Sequence, residues 1–283
     1  MQPLRTPADK GPELSALTPR PRPPAVPSAL AADRDELLEA SLAGVRGWLH
    51  RGEAIELYEL ARAADSGSIV EIGSYHGRST ICLALGARAG GTRRVIAIDP
   101  QTLEVGQQAK LDKNLCNAGV RDLVDIVAST SHMARALIPD CSVGLLFVDG
   151  SHEYDDVRQD IEDWTSALIP GAVAAFNDPY WSDVGRALRD EIAQRGSPYR
   201  NPRWTDKTLF VDYRPDLPWR IRDGWNRIRL RAYLFIGGAW WRWHERHVGC
   251  HPRSAALSVR AIIRVEAVLL RSARRVRDFP RAG

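Results

Sequence analysis

From Ser68 onward the chain alternates short apolar runs with segments of helical periodicity, and this alternation constrains the fold more than any other feature. The apolar runs are SIVEIG, RRVIAID, LVDIVAS, VGLLFVDG and AVAAFND. The segment between the fourth and fifth runs repeats apolar residues at steps of three and four, as one face of a helix does: Tyr154, Val157, Ile161, Trp164 and Leu168. Strands that are apolar throughout and alternate with helices form a parallel sheet covered on both faces. We therefore predict an α/β fold with a doubly wound, mostly parallel sheet.

Two helices are predicted ahead of the first strand. Asp33 can cap the first of them, with Glu36 at the spacing of a capping box, and this helix runs toward His50. The second covers Glu53–Ala64. After the main alternation, Thr208–Tyr213 (TLFVDY) is predicted to be a late strand that is reached without a long helix.

The ends of the apolar runs are the candidate ligand-binding positions. In an open parallel sheet the ligand binds at the carboxyl ends of the strands, near the point where the strand order switches. This rule selects Gly73, Asp99, Ser129, Asp149 and the pair Asn177–Asp178. These positions carry acids and glycines, and no Walker lysine follows the first strand. Phosphate cradling is therefore disfavoured.

The loop Val70–Thr80 (VEIGSYHGRST) joins the first strand to a helix. Gly73 and Gly77 allow a tight turn and a close approach of the backbone to a ligand, although an ordinary strand-to-helix turn can also contain glycines. Two acids favour a nucleoside cofactor. Glu71 is a carboxylate inside an apolar strand, which is costly without a partner. Asp99 ends the second strand, where an acid can accept both hydroxyls of a ribose.

Four motifs in order carry a family resemblance: VEIGSYHGRST, VIAIDP, FVDGSHEYDDVRQDIEDW and LIPGAVAAFNDP. Together they resemble the class I S-adenosylmethionine-dependent methyltransferases, in the family that includes sugar, rhamnosyl and macrolide O-methyltransferases and proteins named cephalosporin hydroxylases. The resemblance covers about residues 50–195. It implies a Rossmann-like, seven-stranded sheet and an S-adenosylmethionine cofactor, and it leaves the acceptor open.

The resemblance also implies which residues bind the cofactor. They lie in the loop and at the next two strand ends: Glu71, Gly73, Ser74, Gly77, Ser79, Thr80, Asp99 and Ser129. The first four would line the methionine part, and the two neighbouring hydroxyl residues would begin the helix behind it. Asp99 would hold the ribose, and Ser129 would contact the adenine end.

A divalent-metal site is predicted at Asp149, Asn177 and Asp178, which end the fourth and fifth strands and project from one edge of the sheet. Hard cations such as Mg²⁺ prefer carboxylate and carbonyl oxygens, and a bound Mg²⁺ lowers the pKa of a substrate hydroxyl. Metal-dependent relatives similarly place one acid after the fourth strand and a pair of acid or amide residues after the fifth. The Asn-Asp pair departs from the His-Asp of many relatives. The alternative is that Asp178 caps the next turn and that no metal binds.

His152 follows Asp149 by three residues in DGSHEY, at the mouth of the same site. An imidazole with a pKa near neutrality suits removal of a hydroxyl proton, and relatives place a base just after the fourth-strand acid. A lone histidine is more often structural, but this position favours a base or a ligand. We therefore predict His152 and Asp149 as catalytic residues. Tyr75, Tyr180 and Trp181 could wall the acceptor pocket or belong to the core.

The resulting functional hypothesis is methyl transfer from S-adenosylmethionine to a hydroxyl of a sugar, a glycosylated natural product or a glycolipid, assisted by Mg²⁺. Two alternatives stay open. The chain could be an RNA-directed methyltransferase, or an inactive cofactor-binding module that acts through its C-terminal region. The substitution at Asn177 is the sequence hint for the second alternative.

The C-terminal region differs from the rest in charge. Residues 215–283 carry 15 arginines, five acidic residues and five of the nine tryptophans. We predict three parts: a disordered Pro-rich extension (1–30), a methyltransferase domain (31–214) and a basic Arg/Trp-rich helical extension (215–283). Within the last, Leu257–Val276 has the pattern of an amphipathic basic helix, and Gly237–Gly238 is expected to break the preceding segment.

Three roles for the basic extension compete. It could be a helical cap or dimer arm, so a homo-oligomer stays open. It could attach the protein to an anionic membrane near a lipid-linked sugar acceptor. Nucleic-acid binding ranks last, because no RNA-binding module is visible. Four scattered cysteines without a CxxC pair and the absence of an apolar leader segment favour a cytoplasmic protein, with peripheral contact at the inner face of the membrane as the alternative.

Overall fold

The computed structural model describes residues 34–91, 94–218 and 221–247, with the side chains of residues 221, 222 and 240–247 left aside. The Pro-rich segment 1–30 and the predicted helix Leu257–Val276 lie outside the described residues.

Eight helices and seven strands alternate along the described chain. The helices are α1 Arg34–Leu42, α2 Arg51–Ala63, α3 Arg78–Ala89, α4 Gln107–Asn117, α5 Ser131–Arg135, α6 Tyr154–Thr165, α7 Ser182–Glu191 and α8 Ile221–His247. The strands are β1 Ser68–Ile72, β2 Val95–Ile98, β3 Val124–Val127, β4 Val143–Val148, β5 Leu168–Asn177, β6 Tyr199–Thr205 and β7 Thr208–Tyr213.

All seven strands form one sheet in the order β3-β2-β1-β4-β5-β7-β6. The pairs among β1 to β5 are parallel, and β7 is antiparallel to both of its neighbours. The chain moves outward from β1 to β3 and then returns to the other side of β1 as β4. The strand order therefore switches between β1 and β4, where a ligand crevice is expected. The predicted doubly wound, mostly parallel seven-stranded sheet is confirmed.

Two buried clusters cover the two faces of the sheet, as the period of two along each strand requires. Val70 and Ile72 of β1 pack into one cluster, with Trp164 of α6. Ile69 packs into the other, with residues of α2 and α3. Glu71 shares the second face with Ile69, so its carboxylate lies on the side of the sheet that α3 covers.

One local prediction was wrong in extent, and one strand was not predicted. The first helix ends at Leu42 and does not run toward His50, because Gly44 follows in the left-handed region at φ +73° and reverses the chain. β6 was missed, since Tyr199–Thr205 contains Pro202 and two arginines and resembles a loop in composition. Such residues are tolerated because β6 is an edge strand that pairs with β7 alone.

The predicted break at Gly237–Gly238 was also wrong, because α8 continues through both glycines. A Cβ atom at Gly237 would lie 2.5 Å from Cδ1 of Tyr180, so glycine lets the helix pack closely against the residue that follows β5. Leu230 and Leu234 of α8 are buried in the first cluster. The described half of the basic region is thus packed on the sheet domain. No helix in the described part of the chain has the length and apolarity that crossing a membrane requires.

Candidate active site

Glu71 anchors the loop after β1 from behind. It is fully buried, and the hydroxyl of Thr80, in the first turn of α3, donates a hydrogen bond to its Oε2 atom. Burial raises the pKa of Glu71 to about 7, an effect that the hydroxyls of Ser79 and Thr80 oppose. Its Oε1 atom has no hydrogen-bond partner among the described residues. The carboxylate therefore ties β1 to α3 and keeps one acceptor unpaired.

Gly73 and Gly77 are required by the geometry of this loop. Gly73 has φ +91°, and a Cβ atom there would lie 2.0 Å from the carbonyl oxygen of Asp149. Gly77 is the left-handed N-cap of α3, and a Cβ atom there would lie 2.6 Å from Leu111. The loop after β1 and the end of β4 are thus in backbone contact across the switch point.

Asp99, at the end of β2, is held by neutral donors. Its Oδ2 atom accepts a hydrogen bond of 2.8 Å from the backbone N–H of Tyr75, and its Oδ1 atom accepts from the backbone of Gln101 and from the side chain of Gln107. The side chain of Gln101 also donates to the hydroxyl of Ser74, at 3.3 Å. Asp99 therefore links the loops after β1 and β2 through three hydrogen bonds, two of them from the backbone.

The other predicted residues of this half lie at its margins. Ser129 follows β3, and its N–H donates to the carbonyl oxygen of Val127, which also accepts the N–H of Asp99. The ring of Tyr75 stacks on His76 at 4.0 Å between centroids, and Trp48 lies 6.3 Å away on the same stack. His76 is buried and pairs with Glu104. Both the ring face and the Nε2 atom of His76 therefore contact neighbouring side chains.

A second group of polar side chains lies at the ends of β4 and β5. Asp149, His152 and Asp178 each place one ligand atom within 4.8 Å of the others. The Nε2 atom of His152 lies 3.7 Å from Oδ2 of Asp178 and has no hydrogen-bond partner among the described residues. The ring of His152 packs against Trp181, at 4.5 Å between centroids. Asp149, Asp178 and the predicted base are therefore brought together.

Asn177 points its amide nitrogen, not its oxygen, at the acids. Nδ2 donates to Asp149 at 2.8 Å and to Asp178 at 3.2 Å. Oδ1 faces the hydroxyl of Thr208, at 3.0 Å, and the same hydroxyl lies 2.6 Å from Oε1 of Glu53. A hydroxyl has one hydrogen and serves one of these acceptors at a time. Metal ligation by Asn177 would need the amide turned by half a rotation, with Nδ2 toward Thr208.

Lys207 adds a positive charge to this cluster, and sequence reasoning missed it. Its Nζ atom lies 3.2 Å from Oδ2 of Asp178, with only 15% of the side chain exposed. The residue lies in the tight turn between β6 and β7. The antiparallel register pairs the neighbouring Thr208 with Asn177. The available signal was a lysine directly before Thr208–Tyr213, the strand that pairs with β5, but without a prediction for β6 the hairpin turn could not be recognised.

The electrostatics of the cluster follow from burial and from these charges. Burial raises the pKa of Asp149 to about 7, although Lys207 and the hydrogen bond from Asn177 oppose the rise. Burial lowers the pKa of His152, and the charge of Asp178 opposes this. Neutral imidazole is thus favoured near pH 7. Burial also raises the pKa of Glu53 to about 7, on the far side of Thr208.

The two aromatic residues after β5 have different environments. Tyr180 is 3% exposed, and its hydroxyl is hydrogen-bonded to that of Tyr233 in α8. It is a core residue, the second of the two interpretations that the sequence left open. Trp181 is 37% exposed and covers the ring of His152, so it lies beside the cluster.

The central part of the sheet domain matches a known family. Residues 70–179, from within β1 to the turn after β5, match the family model described as a methyltransferase domain. The structure resembles cofactor-bound Rv0187 from MTB with a TM-score of 0.53 and 22% identity, over 66% of this chain and 94% of that one. It also resembles an O-methyltransferase from Bacillus cereus in complex with SAH, with a TM-score of 0.50 and 18% identity, over 65% and 94% of the two chains.

One curated relative is similar in sequence. The uncharacterized protein y4gI of Sinorhizobium fredii is 30% identical in an alignment of length 141 that covers 44% of this chain. The chain spans only 15% of the length of that protein. The family match identifies a methyltransferase domain, and the solved structures share its fold. These matches do not identify the molecule that receives the methyl group.

Proposed function

We propose that the protein transfers a methyl group from S-adenosylmethionine to a hydroxyl oxygen of a sugar-containing acceptor, and the match of residues 70–179 to a methyltransferase domain supports the methyl transfer. One observation carries the proposal: the cofactor loop at Gly73 is in backbone contact with Asp149, three residues before His152. A donor bound at that loop lies next to a group that can take a proton. Positioning the reactants is the main contribution that such an enzyme makes.

The β1–β2 half of the site fits the cofactor. The carboxylate oxygen Oε1 of Glu71 and the amide oxygen Oε1 of Gln101 are buried acceptors without partners among the described residues, and a cationic or N–H-bearing ligand would satisfy them. The residues proposed to hold the cofactor are those predicted: Glu71, Gly73, Ser74, Gly77, Ser79, Thr80, Asp99 and Ser129. S-adenosylmethionine would supply a methyl group that its sulfonium already makes electrophilic.

His152 is the proposed base. Its lowered pKa leaves the imidazole neutral near pH 7, and its Nε2 atom can accept the proton of the acceptor hydroxyl. Asp178, 3.7 Å from Nε2, stabilises the imidazolium that results. Trp181 beside His152, and Trp48 on the stack of Tyr75, offer apolar ring faces of the kind that line small-molecule pockets. These faces support a sugar-sized acceptor.

Magnesium assistance is supported by the donor atoms of the cluster but not by its charge. Asp149, His152 and Asp178 would hold the ion, with Asn177 as a further ligand once its amide is turned, and the ion would lower the pKa of the acceptor hydroxyl. The NH₂ group of Asn177 already donates to both carboxylates, and the ammonium group of Lys207 pairs with the carboxylate of Asp178. Mg²⁺ dependence is tested by methyl transfer in EDTA and after readdition of Mg²⁺.

The proposed activity is tested in two steps. Calorimetric titration with S-adenosylmethionine measures cofactor binding first. Labelled S-adenosylmethionine is then offered with sugar nucleotides, aryl glycosides, glycolipids and structured RNA. We expect micromolar binding, on the order of the usual substrate range, and label transfer to a glycoside or glycolipid. Binding without transfer to any acceptor would instead make the chain a cofactor-binding module, and transfer to RNA alone would replace the sugar acceptor.

A lipid-linked acceptor is favoured by the outer face of α8. Its exposed apolar side chains recur along one stripe, opposite the buried residues Leu230 and Leu234: Trp225, Ile228, Phe235 and Ile236. At 100° per residue, Arg229 and Arg231 fall on either side of this stripe. An apolar stripe between arginines suits the interface of an anionic membrane, where the apolar residues insert and the arginines reach the headgroups.

Vesicle binding tests this part. The full chain should co-sediment with vesicles that contain phosphatidylglycerol and bind pure phosphatidylcholine less well. Trp225→Ser with Phe235→Ser should weaken binding by about tenfold or more, the loss expected for two buried aromatic contacts. The control is Trp48→Ser, because Trp48 is exposed to a similar extent, 67% against 64% for Trp225. Unchanged binding of the double variant would reject the membrane contact while leaving the methyl-transfer proposal intact.

A further inference from the structure

The ammonium group of Lys207 pairs with the carboxylate of Asp178, and its charge also acts on Asp149. It is held there from the neighbouring hairpin: the backbone N–H of Asp178 donates to the carbonyl oxygen of Lys207 at 2.9 Å, and the Lys207 side chain returns to Oδ2 of the same Asp178 at 3.2 Å. Backbone and side chain thus make reciprocal contacts with one residue. The position of the ammonium group is fixed by the sheet.

Asp178 itself is held in an uncommon backbone conformation, with φ +50°. Left-handed aspartate is tolerated, but it needs local support. The chain supplies that support from three sides: the hydrogen bonds with Lys207, the amide of Asn177 and the hydrogen bond from the N–H of Trp181 to the carbonyl oxygen of Asp178. The result is a carboxylate aimed between Lys207 and His152.

We propose that the ammonium group of Lys207 is the resident cation of the acceptor site, in the position that a divalent metal would otherwise fill. This inference rests on the proposed function only where it calls the cluster an acceptor site, since the contacts of Lys207 do not depend on the reaction. Lys207 is a positioning residue: it holds Asp178 beside His152 and balances the negative charge that Asp149 and Asp178 bring together. Glu53, on the other side of Thr208, adds a further attraction for Lys207.

The charge count supports this assignment. The ammonium group lowers the net negative charge of the cluster, so the cluster attracts a divalent ion less strongly than the same carboxylates would without the lysine. A like charge beside the site opposes an incoming divalent ion even at a high effective dielectric constant, so removal of the lysine raises the affinity for the ion measurably. Lysine suits this role as a compact point charge, whereas the forked guanidinium of arginine needs more room.

Binding of Mn²⁺ alone, followed by its electron paramagnetic resonance signal, tests the inference with the full chain. We expect weak binding by the wild type and an affinity at least about tenfold higher in Lys207→Met, because the repulsion of the ammonium is gone. The matched control is Lys110→Met, whose partner Glu104 lies at the cofactor half of the site. Lys110→Met should bind Mn²⁺ as the wild type does. Addition of Asp178→Asn to Lys207→Met should remove the gained affinity.

Equal Mn²⁺ affinity in the wild type and Lys207→Met would overturn the inference. Far-ultraviolet circular dichroism checks that each variant folds, and Lys207→Gln is measured in the same way if Lys207→Met does not fold. With an acceptor in hand, the wild type should retain turnover in EDTA, whereas Lys207→Met should lose it and recover part with Mg²⁺. Because Mn²⁺ binding requires no turnover, failure of this inference and failure of methyl transfer are distinguishable.

Discussion

The two halves of the site hold their acids by different means. At the β1–β2 half, Asp99 is held by two backbone N–H groups and one amide, all neutral. At the β4–β5 half, Asp178 faces an ammonium group, an amide and an imidazole. The donors around Asp99 carry no charge, so an added ion does not repel or displace them. Charged neighbours respond to an added proton or ion, as chemistry on an acceptor requires.

Loss of His152 should give the largest difference between the effect on turnover and the effect on cofactor binding. His152→Ala removes the proposed base, and we expect turnover to fall by about 10²–10⁴-fold, the usual contribution of general base catalysis. The affinity for S-adenosylmethionine should stay within about twofold, since the described contacts of His152 are with Asp178 and Trp181. Turnover on the acceptor found in the screen and calorimetry measure the two quantities.

The control for this variant is His132→Ala, which removes an exposed histidine that pairs with Asp163 far from the cluster. It should leave turnover unchanged. If His152→Ala weakened cofactor binding as much as turnover, the division of labour between the two halves would be wrong.

A methyl group at Gly73 should damage the contact that joins the halves. Gly73→Ala adds left-handed strain and a Cβ atom 2.0 Å from the carbonyl oxygen of Asp149. We expect a loss of about 3 kcal/mol or more in the free energy of unfolding. Gly91→Ala is the matched control, because Gly91 has φ +100° and no described atom within 4 Å of its Cβ position.

The control should lose only about 1 kcal/mol, the cost of the backbone conformation without a clash. Denaturant unfolding of the two variants measures this difference. Equal losses would mean that the backbone contact between the loop and Asp149 adds nothing to the strain of the left-handed conformation.

The smallest expected effect concerns the buried acid behind the cofactor loop. The pKa of Glu71 is about 7 in the folded chain, above its ordinary value of 4.5. The folded state therefore binds this proton more tightly than the unfolded state, and the stability that Glu71 contributes at low pH is lost as the pH rises from 4.5 through 7. Glutamine imitates the protonated acid and should remove this loss.

Unfolding free energies at pH 5, 6 and 7.5 provide the measurement. Between the extremes the wild type should lose about 2 kcal/mol more than Glu71→Gln. Glu59→Gln serves as the control, because the hydrogen bond from Arg34 lowers the pKa of Glu59 and removes it from this range. Parallel pH profiles of the wild type and Glu71→Gln would show that the acid stays charged in the fold.

The sheet and its functional edge were predictable because they depend on local pattern. Apolar runs that alternate with helices determine a parallel sheet, and the topology then brings the ends of β1, β2, β4 and β5 to one edge. Asp149 and Asp178 could be assigned to one site on that ground alone. The end of each strand can be recognised from the local sequence, and the parallel topology places these ends at one edge of the sheet.

The missed features depend on long-range pairing that no local pattern displays. Lys207 enters the cluster only because β7 pairs antiparallel with β5, through an edge hairpin whose first strand contains Pro202. The orientation of the Asn177 amide depends on Thr208 and Glu53, which are distant in sequence. The continuity of α8 through Gly237 depends on the ring of Tyr180. In each case a residue far away in the sequence determines the local structure.

The contact between Gly237 and Tyr180 fixes the distance between α8 and the segment that follows β5. Tyr180 lies two residues after Asp178, so the buried face of α8 is braced against the segment that carries the acceptor site. The apolar stripe lies on the opposite face of the same helix, one helix diameter of about 10 Å away. With that stripe on a lipid surface, the brace sets the height of the catalytic cluster above the headgroups. Under the proposed membrane contact, transfer to a lipid-linked sugar is expected to depend on the distance of the target hydroxyl from the lipid surface.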